Sequence, residues 1–157
     1  MERATFGAGC FWKVEAAFRQ VEGVVATSVG YMGGDFPYPS YLDVLSRITG
    51  HAEVAQIEYN PQQVSYDQLL EIFWSIHDPT QLNRQGADRG EQYRSVIFYH
   101  TQEQQIAAIG SLKQLQQSKK FEREIVTQIQ PNKEYYLATE EHQQYLQKKK
   151  ISKSITP

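Results

Sequence analysis

The hydrophobic period changes several times along the chain, and each change marks an element. Ala4-Thr5-Phe6 reads as a short strand, after which Val14, Ala17, Phe18 and Val21 recur at helical spacing over residues 11–21. Val24 to Tyr31, rich in valine and threonine, reads as a second strand. Residues 52–59 alternate, with Ala55, Ile57 and Tyr59 on one side and the more polar Gln56 and Glu58 on the other. Ser65 followed by Gln68 is a capping box, and the helix it opens carries Leu69, Leu70, Phe73 and Trp74. Tyr93 to Tyr99 is a further strand. Thr101 with Gln104 opens another helix, whose apolar positions are Ile106, Ile109, Leu112 and Leu115, and Ile125 to Ile129 has the composition of a strand.

The first six of these elements run β-α-β-β-α-β. That order predicts an α+β fold with a ferredoxin-like split βαβ core: a mainly antiparallel sheet with helices packed on one face. There is no internal repeat and no long linker, so residues 1–147 are expected to form a single domain. The segment from about residue 31 to 50, with Gly33, Gly34, Pro37, Pro39 and Tyr41, is long for a connection in a compact domain, and such loops tend to be functional. Residues 148–157 begin with Lys148-Lys149-Lys150 and are expected to be a poorly ordered basic, polar tail.

Composition narrows the function. A chain of 157 residues can bury one substantial core. A net charge of −2 and a run of only three lysines give no footprint for nucleic acid or an anionic membrane. No apolar run approaches the ~20 residues of a membrane span, and no signal peptide precedes the first strand, so a cytoplasmic location is expected. The chain is expected to act as a monomer. A single cysteine excludes an internal disulfide and a cysteine-rich zinc site. The four histidines, His51, His77, His100 and His142, show no standard zinc spacing, so no metal is expected. Gly30 to Gly34 lacks the Lys-Ser/Thr of a phosphate-binding loop.

That cysteine, Cys10, falls in Gly9-Cys10-Phe11-Trp12, at the turn between the first strand and the first helix. A thiol at a helix N-terminus is expected to have a lowered pKa and to be nucleophilic. A lone cysteine is more often buried and inert. Against that, Gly7 and Gly9 bracket a turn, and the apolar periodicity starts only after Cys10. The neighbouring aromatics can wall an apolar pocket.

Gly9-Cys10-Phe11-Trp12 with Val14-Glu15 and Phe18 resembles the active-site signature of the A-type peptide methionine sulfoxide reductases. Six further segments follow in that family's order: Gly30-Tyr31-Met32-Gly33-Gly34, Pro39-Ser40-Tyr41, Gly50-His51-Ala52-Glu53, His77-Asp78-Pro79, Gln85-Gly86-Ala87-Asp88-Arg89-Gly90 with Gln92-Tyr93-Arg94-Ser95, and His142-Gln143-Gln144-Tyr145-Leu146. The resemblance runs from about residue 3 to 147. It implies reduction of methionine-S-sulfoxide, free or in proteins and peptides, and hence protein repair.

A sulfoxide oxygen leaves poorly unless an acid protonates it. The resemblance makes Cys10 the nucleophile and Glu53 the acid. By residue type alone Glu53 is an exposed strand-end charge. Tyr41 and Tyr93 match the tyrosines that hold the oxygen, although either is also ordinary packing. Phe11 and Trp12 match the pair contacting the S-methyl group, or are helix-to-sheet core. Asp88 matches an aspartate that orders the substrate, or is a turn residue. Tyr145 matches a tyrosine that helps close the site. No cofactor is implied. The thiolate would end as a sulfenic acid, to be returned to thiol by an external reductant of the thioredoxin, glutaredoxin or glutathione type. Here the chain departs from the commoner pattern, because it has no Gly-Tyr-Cys-Gly segment and no recycling cysteine. Two rivals share some of these features. A general thiol transferase or peroxidatic protein would use Cys10 but has no need of Glu53, and a sulfoxide-binding module would need no reactive thiol.

Overall fold

The computed structural model describes residues 1–155. Its elements in chain order are β1 (Glu2–Gly7), α1 (Phe11–Arg19), β2 (Val24–Met32), α2 (Tyr41–Leu45), β3 (Ala52–Tyr59), α3 (Tyr66–Ser75), β4 (Arg84–Gln85), β5 (Asp88–Arg89), β6 (Val96–Tyr99), α4 (Gln102–Gln117), β7 (Gln128–Pro131), β8 (Tyr136–Leu137) and α5 (Tyr145–Ile155). This is a mixed α+β arrangement. Six strands form one sheet in the order β7-β6-β1-β3-β2-β8, antiparallel except for the parallel β6–β7 pair. β4 and β5 make a separate small hairpin.

The alternation in β3 decides which residues meet. Its odd positions, Ala55, Ile57 and Tyr59, turn toward the helices, where Phe6, Phe18 and Phe73 stack with ring centroids 5.1–5.2 Å apart. Glu53 is the next odd position on that strand and is 1% exposed. The even positions Ala52 and Val54 join Met32, Val96 and Phe98 in a second cluster on the other face, packed by Tyr135. Both faces are therefore covered at this end of β3, which explains a carboxyl buried at a strand end.

The helix starts follow local rules. Ser65 Oγ accepts from the Gln68 amide at 3.1 Å while Gln68 Oε1 accepts from the Ser65 amide at 2.9 Å, the reciprocal pair that the spacing predicts. A second box opens α2, where Ser40 Oγ accepts from the Asp43 amide and Asp43 Oδ2 accepts from the Ser40 amide. The segment expected as loop thus holds a short helix beginning at Tyr41. The loop is also tied down by His51, whose Nδ1 accepts from the Gly34 amide at 3.0 Å while its Nε2–H donates to the Phe36 carbonyl at 2.7 Å. A side chain at Gly34 would overlap the Thr49–His51 backbone, so only glycine permits this approach.

Several expectations need correction. In α4, Ile106 is 64% and Ile109 37% exposed, and the buried positions are Gln104 and Ala108. Gln104 Nε2–H donates to the Arg3 carbonyl at 2.7 Å, and that bond with the small Ala108 sets which face turns inward. Tyr93 ends a 3₁₀ turn over Glu91–Tyr93, and β6 starts only at Val96. β7 begins at Gln128 rather than Ile125. Lys148-Lys149-Lys150 lie inside α5 rather than after it, and the last two tail positions, 156–157, fall outside the described residues. Among the described residues no helix is long and apolar enough to cross a membrane.

Candidate active site

β1 runs to Gly7, and the chain turns through Ala8 and Gly9 so that Cys10 becomes the N-cap of α1. Gly9 has φ +90°, and a Cβ there would come within 2.9 Å of the Gln85 side chain. Gln85 is held in turn, since its Oε1 accepts from the Asp78 amide at 3.0 Å and its Nε2–H donates to the Asp78 carbonyl at 2.9 Å. The turn carrying Cys10 is thereby wedged against the β4–β5 hairpin. A cleft of about 340 Å³ opens there, bounded by Cys10, Lys13, Gln85 and Asp88.

Glu53 reaches the same place from the sheet. Phe11 N–H, in the first turn of α1, donates to Glu53 Oε1 at 3.2 Å. Glu53 Oε2 is buried and has no partner. Burial is the main force on this carboxyl. It outweighs the Phe11 amide and, with the Asp88 charge, pushes the pKa up to about 7. Glu53 therefore keeps its proton far closer to neutrality than an ordinary glutamate. Because Oε1 is occupied by an N–H donor, that proton belongs on Oε2.

Cys10 differs from expectation. Its pKa lies above the usual thiol value: burial raises it, the Trp12 and Lys13 amides pull it down, and the charges of Glu53 and Asp88 raise it again. The helix start acts in the expected direction, but desolvation outweighs it. Sequence position shows the helix start and cannot show the burial.

The aromatic wall is continuous. The Phe11 ring lies 5.7 Å from Tyr31, 6.3 Å from Tyr41 and 5.6 Å from His142. Tyr41 sits 4.5 Å from the His142 ring. Trp12 Nε1–H donates to His142 Nδ1 at 3.2 Å, and the Trp12 ring stacks on Tyr145 at 3.9 Å. The structure thus places Tyr145 against Trp12, on the side lining a second cleft of about 310 Å³ between α1 and α5. Burial and then the Glu53 charge raise both the Tyr41 and the Tyr93 phenol, so each stays a protonated hydrogen-bond donor beside that carboxyl. Cys10, Phe11, Trp12, Tyr41, Glu53, Asp88 and Tyr93 converge on one place, and Tyr145 joins through Trp12.

His142 and Tyr31 were not singled out by their sequence positions. His142 is delivered by a C-terminal strap. Gln143 Oε1 accepts from the Val29 amide at 2.8 Å, and its Nε2–H donates to the Val29 carbonyl at 2.8 Å, so this side chain pairs with the backbone of β2 like a strand residue. The Gln144 amide and side chain donate to the buried Glu15 carboxylate at 2.9 and 2.8 Å. Both residues lie within segments that carry the family resemblance, which was their only sequence signal. The histidines have separate partners: His51 in the loop, His77 between the Phe73 carbonyl and Ser95, His100 on Thr5, and His142 on Trp12. Among the described residues no three His, Cys, Asp or Glu side chains group as metal ligands.

A lone thiol at a helix start, beside a carboxyl that holds its proton near neutrality, has the groups that thiol-based redox chemistry uses. A family profile described as peptide methionine sulfoxide reductase matches residues 2–156, and the chain belongs to that family. It is 71% identical to the peptide methionine sulfoxide reductase MsrA 1 of Nostoc sp., over 94% of this chain and 91% of that one. Among solved structures it resembles Mxr1 of Saccharomyces cerevisiae in reduced form, with a TM-score of 0.87 and 37% identity over 94% of this chain and 84% of that one. Mxr1 in complex with Trx2 also matches, with a TM-score of 0.65 and 27% identity over 92% and 84% of the two chains.

Proposed function

We propose that the chain reduces methionine-S-sulfoxide, free or within proteins, through a sulfenic acid on Cys10, and so repairs oxidised proteins. The observation that carries this reading is the Glu53 carboxyl, anchored through Oε1 on the Phe11 amide, with its Oε2 free and its pKa near 7. A thiol transferase has no use for a buried acid beside an aromatic wall. Phe11 and Trp12 seat the S-methyl group, and Tyr41 and Tyr93 donate to the sulfoxide oxygen. Asp88 orders the substrate at the mouth of the cleft, and Tyr145 braces Trp12.

The step balances within the site. The Cys10 sulfur forms a bond to the sulfoxide sulfur as Glu53 Oε2 gives its proton to the oxygen. The hydroxyl then passes to the Cys10 sulfur as the substrate S–O bond and the new S–S bond both break, so that methionine leaves and Cys10 ends as S–OH. The proton lost by the Cys10 thiol restores Glu53. The net change is thiol plus sulfoxide to sulfenic acid plus sulfide.

The reactive form carries a proton on Glu53 and none on Cys10. Since the Cys10 pKa is raised and that of Glu53 is about 7, the kcat/KM of the first step should climb with pH up to about 7. Above that, Cys10 ionisation is offset by loss of the Glu53 proton, and the profile flattens until Cys10 itself titrates.

With a single cysteine, the sulfenic acid must be met by an outside thiol. The solved complex of the yeast relative with Trx2 supports a thioredoxin-type donor, and a glutaredoxin or glutathione would serve the same chemistry through a mixed disulfide. No cofactor takes part. The chain works as a cytoplasmic monomer with one catalytic domain. The antiparallel order β6-β1-β3-β2 supports reading its core as a ferredoxin-like split βαβ.

The test is a single-turnover assay without reductant on purified R and S sulfoxides. About one methionine per chain from the S form only, with a sulfenate trapped at Cys10, is the expected result. Equal release from both epimers, or Cys10 recovered as unmodified thiol, overturns the reading.

A further inference from the structure

Tyr31 and Glu53 are direct partners in the register between β2 and β3. Directly opposed residues on one face of an antiparallel pair have Cβ atoms about 4.5–5.5 Å apart. Both are 1% exposed. Tyr31 lies on the helix-covered face with Phe11, whose backbone amide holds Glu53 and whose ring is 5.7 Å from the Tyr31 ring. The two side chains also share a shortage, because the Tyr31 hydroxyl and Glu53 Oε2 are both buried polar atoms without a hydrogen-bond partner. Buried hydroxyls are nearly always satisfied, and leaving one open costs about 1–3 kcal/mol. Phenylalanine would fill the same space without that cost.

We propose that Tyr31 is a positioning residue acting through Glu53: its hydroxyl donates to Glu53 Oε2 when that oxygen has given up its proton. This rests on Glu53 being the acid. In the resting state Oε2 carries the proton and asks for no donor. Once the proton moves to the sulfoxide oxygen, Oε2 holds a negative charge inside an apolar wall. Oε1 already has the Phe11 amide. Tyr41 and Tyr93 are the donors assigned to the substrate oxygen, which leaves the Tyr31 hydroxyl for Oε2. Burial first and the Glu53 charge second keep the Tyr31 phenol protonated well above the working pH, so it stays a donor throughout. The titratable groups that bear on Glu53 are Cys10 at the start of α1, Tyr31 from β2, Tyr41 from α2, Asp88 from β5 and Tyr93 from the 3₁₀ turn.

The test compares Tyr31→Phe, Glu53→Gln and the double variant by single-turnover methionine release across pH. Tyr31→Phe should lower the first-turnover rate about tenfold, the order expected for one hydrogen bond to a charged group, with little change in KM. A donor to the carboxylate lowers the Glu53 pKa, so removing it should move the break near pH 7 upward. In the Glu53→Gln background no anion forms, and Tyr31→Phe should add little further loss. The melting temperature should stay level or rise. A parental rate with the break in place overturns the proposal. So does an equal loss with and without Glu53, which would put Tyr31 on the substrate or in packing alone. A parental rate for Glu53→Gln itself would instead remove Glu53 as the acid.

Discussion

Two enclosed polar clusters of the fold are finished in opposite ways. One joins Phe73, His77, Ser95 and Thr127. The Phe73 carbonyl can only accept, so His77 carries its proton on Nδ1 and donates at 2.7 Å. His77 Nε2 then accepts from the Ser95 hydroxyl at 2.7 Å, and Ser95 accepts from Thr127 at 2.7 Å. In that chain each donor faces an acceptor. The other cluster, Cys10, Tyr31 and Glu53 with their aromatic wall, leaves Glu53 Oε2 and the Tyr31 hydroxyl open. Burial drives both clusters toward neutrality, lowering His77 to about 4 and raising Glu53 to about 7. A closed network spends its hydrogen bonds on the fold. An open one keeps them for the charge that forms in the course of the reaction.

The largest break in the open cluster is Cys10→Ser. A hydroxyl is scarcely ionised near neutral pH, and first-turnover methionine release should fall more than about 10³-fold with an unchanged melting temperature. Release above a few per cent of the parent rate would take Cys10 out of the nucleophile role. Glu53→Gln comes next. The amide keeps the Phe11 contact and has no acidic proton, so the first step should slow by about 10²–10⁴-fold. Its pH profile should also change shape. Without Glu53 to titrate, the break near pH 7 disappears and the residual rate keeps climbing until Cys10 ionises. A break that survives in the variant assigns it to another group.

The contrast also marks what a sequence can carry. The alternation through Ala55, Ile57 and Tyr59 was legible, although residue type made Glu53 on the same strand read as an exposed charge, and the Ser65–Gln68 box marked the start of α3. The Ser40–Asp43 box was equally present, but the surrounding glycines and prolines made residues 31–50 read as loop. β8 is two residues long and exists only because β2 offers an edge, so no period announces it. In α4, Leu112 and Leu115 pack against the core as expected, but Ile106 and Ile109 misled, because the Gln104 bond to Arg3 sets the face from a distant strand. At the site, the family resemblance made the residues legible where residue type alone did not, and the structure brings the residues so named together. The direction of the Cys10 pKa was not legible, because desolvation is a property of the assembled wall. Tyr31 was hidden for the same reason: a tyrosine in a strand is ordinary until its hydroxyl is found without a partner.

Removing a single hydroxyl from each cluster sharpens the comparison. Ser95→Ala deletes the middle of the closed chain and leaves His77 Nε2 without a donor and the Thr127 hydroxyl without an acceptor. It should cost about 1–3 kcal/mol of stability, read as a lower midpoint in denaturant with the m-value unchanged, while first-turnover release stays within a few-fold of the parent. Tyr31→Phe deletes one hydroxyl from the open cluster and should do the reverse, sparing stability and slowing turnover. A matching loss of stability in both would mean that the two clusters are finished alike.

The smallest effect in the parent itself is the pH dependence of stability, where the two clusters pull against each other. Glu53 has its folded pKa raised from 4.5 to about 7. The folded state then binds more protons than the unfolded state between those values, and stability is lost as pH rises through that window. His77 is lowered from 6.5 to about 4. There the unfolded state binds more protons, and stability is lost as pH falls from about 6.5 toward 4. Between about 4.5 and 6.5 the two slopes oppose, each at most about 1.4 kcal/mol per pH unit. Compared with the parent, Glu53→Gln should therefore gain stability progressively from pH 5 to 7 and hold that gain above it. His77→Gln should lose its dependence in the same range with the opposite sign, on top of a constant cost for the broken chain. Denaturant midpoints for parent and both variants at pH 5, 6, 7 and 8 give the differences directly. A Glu53→Gln difference that is flat across this range would mean that the carboxyl is ionised throughout in the folded chain, and the acid role would fall with it.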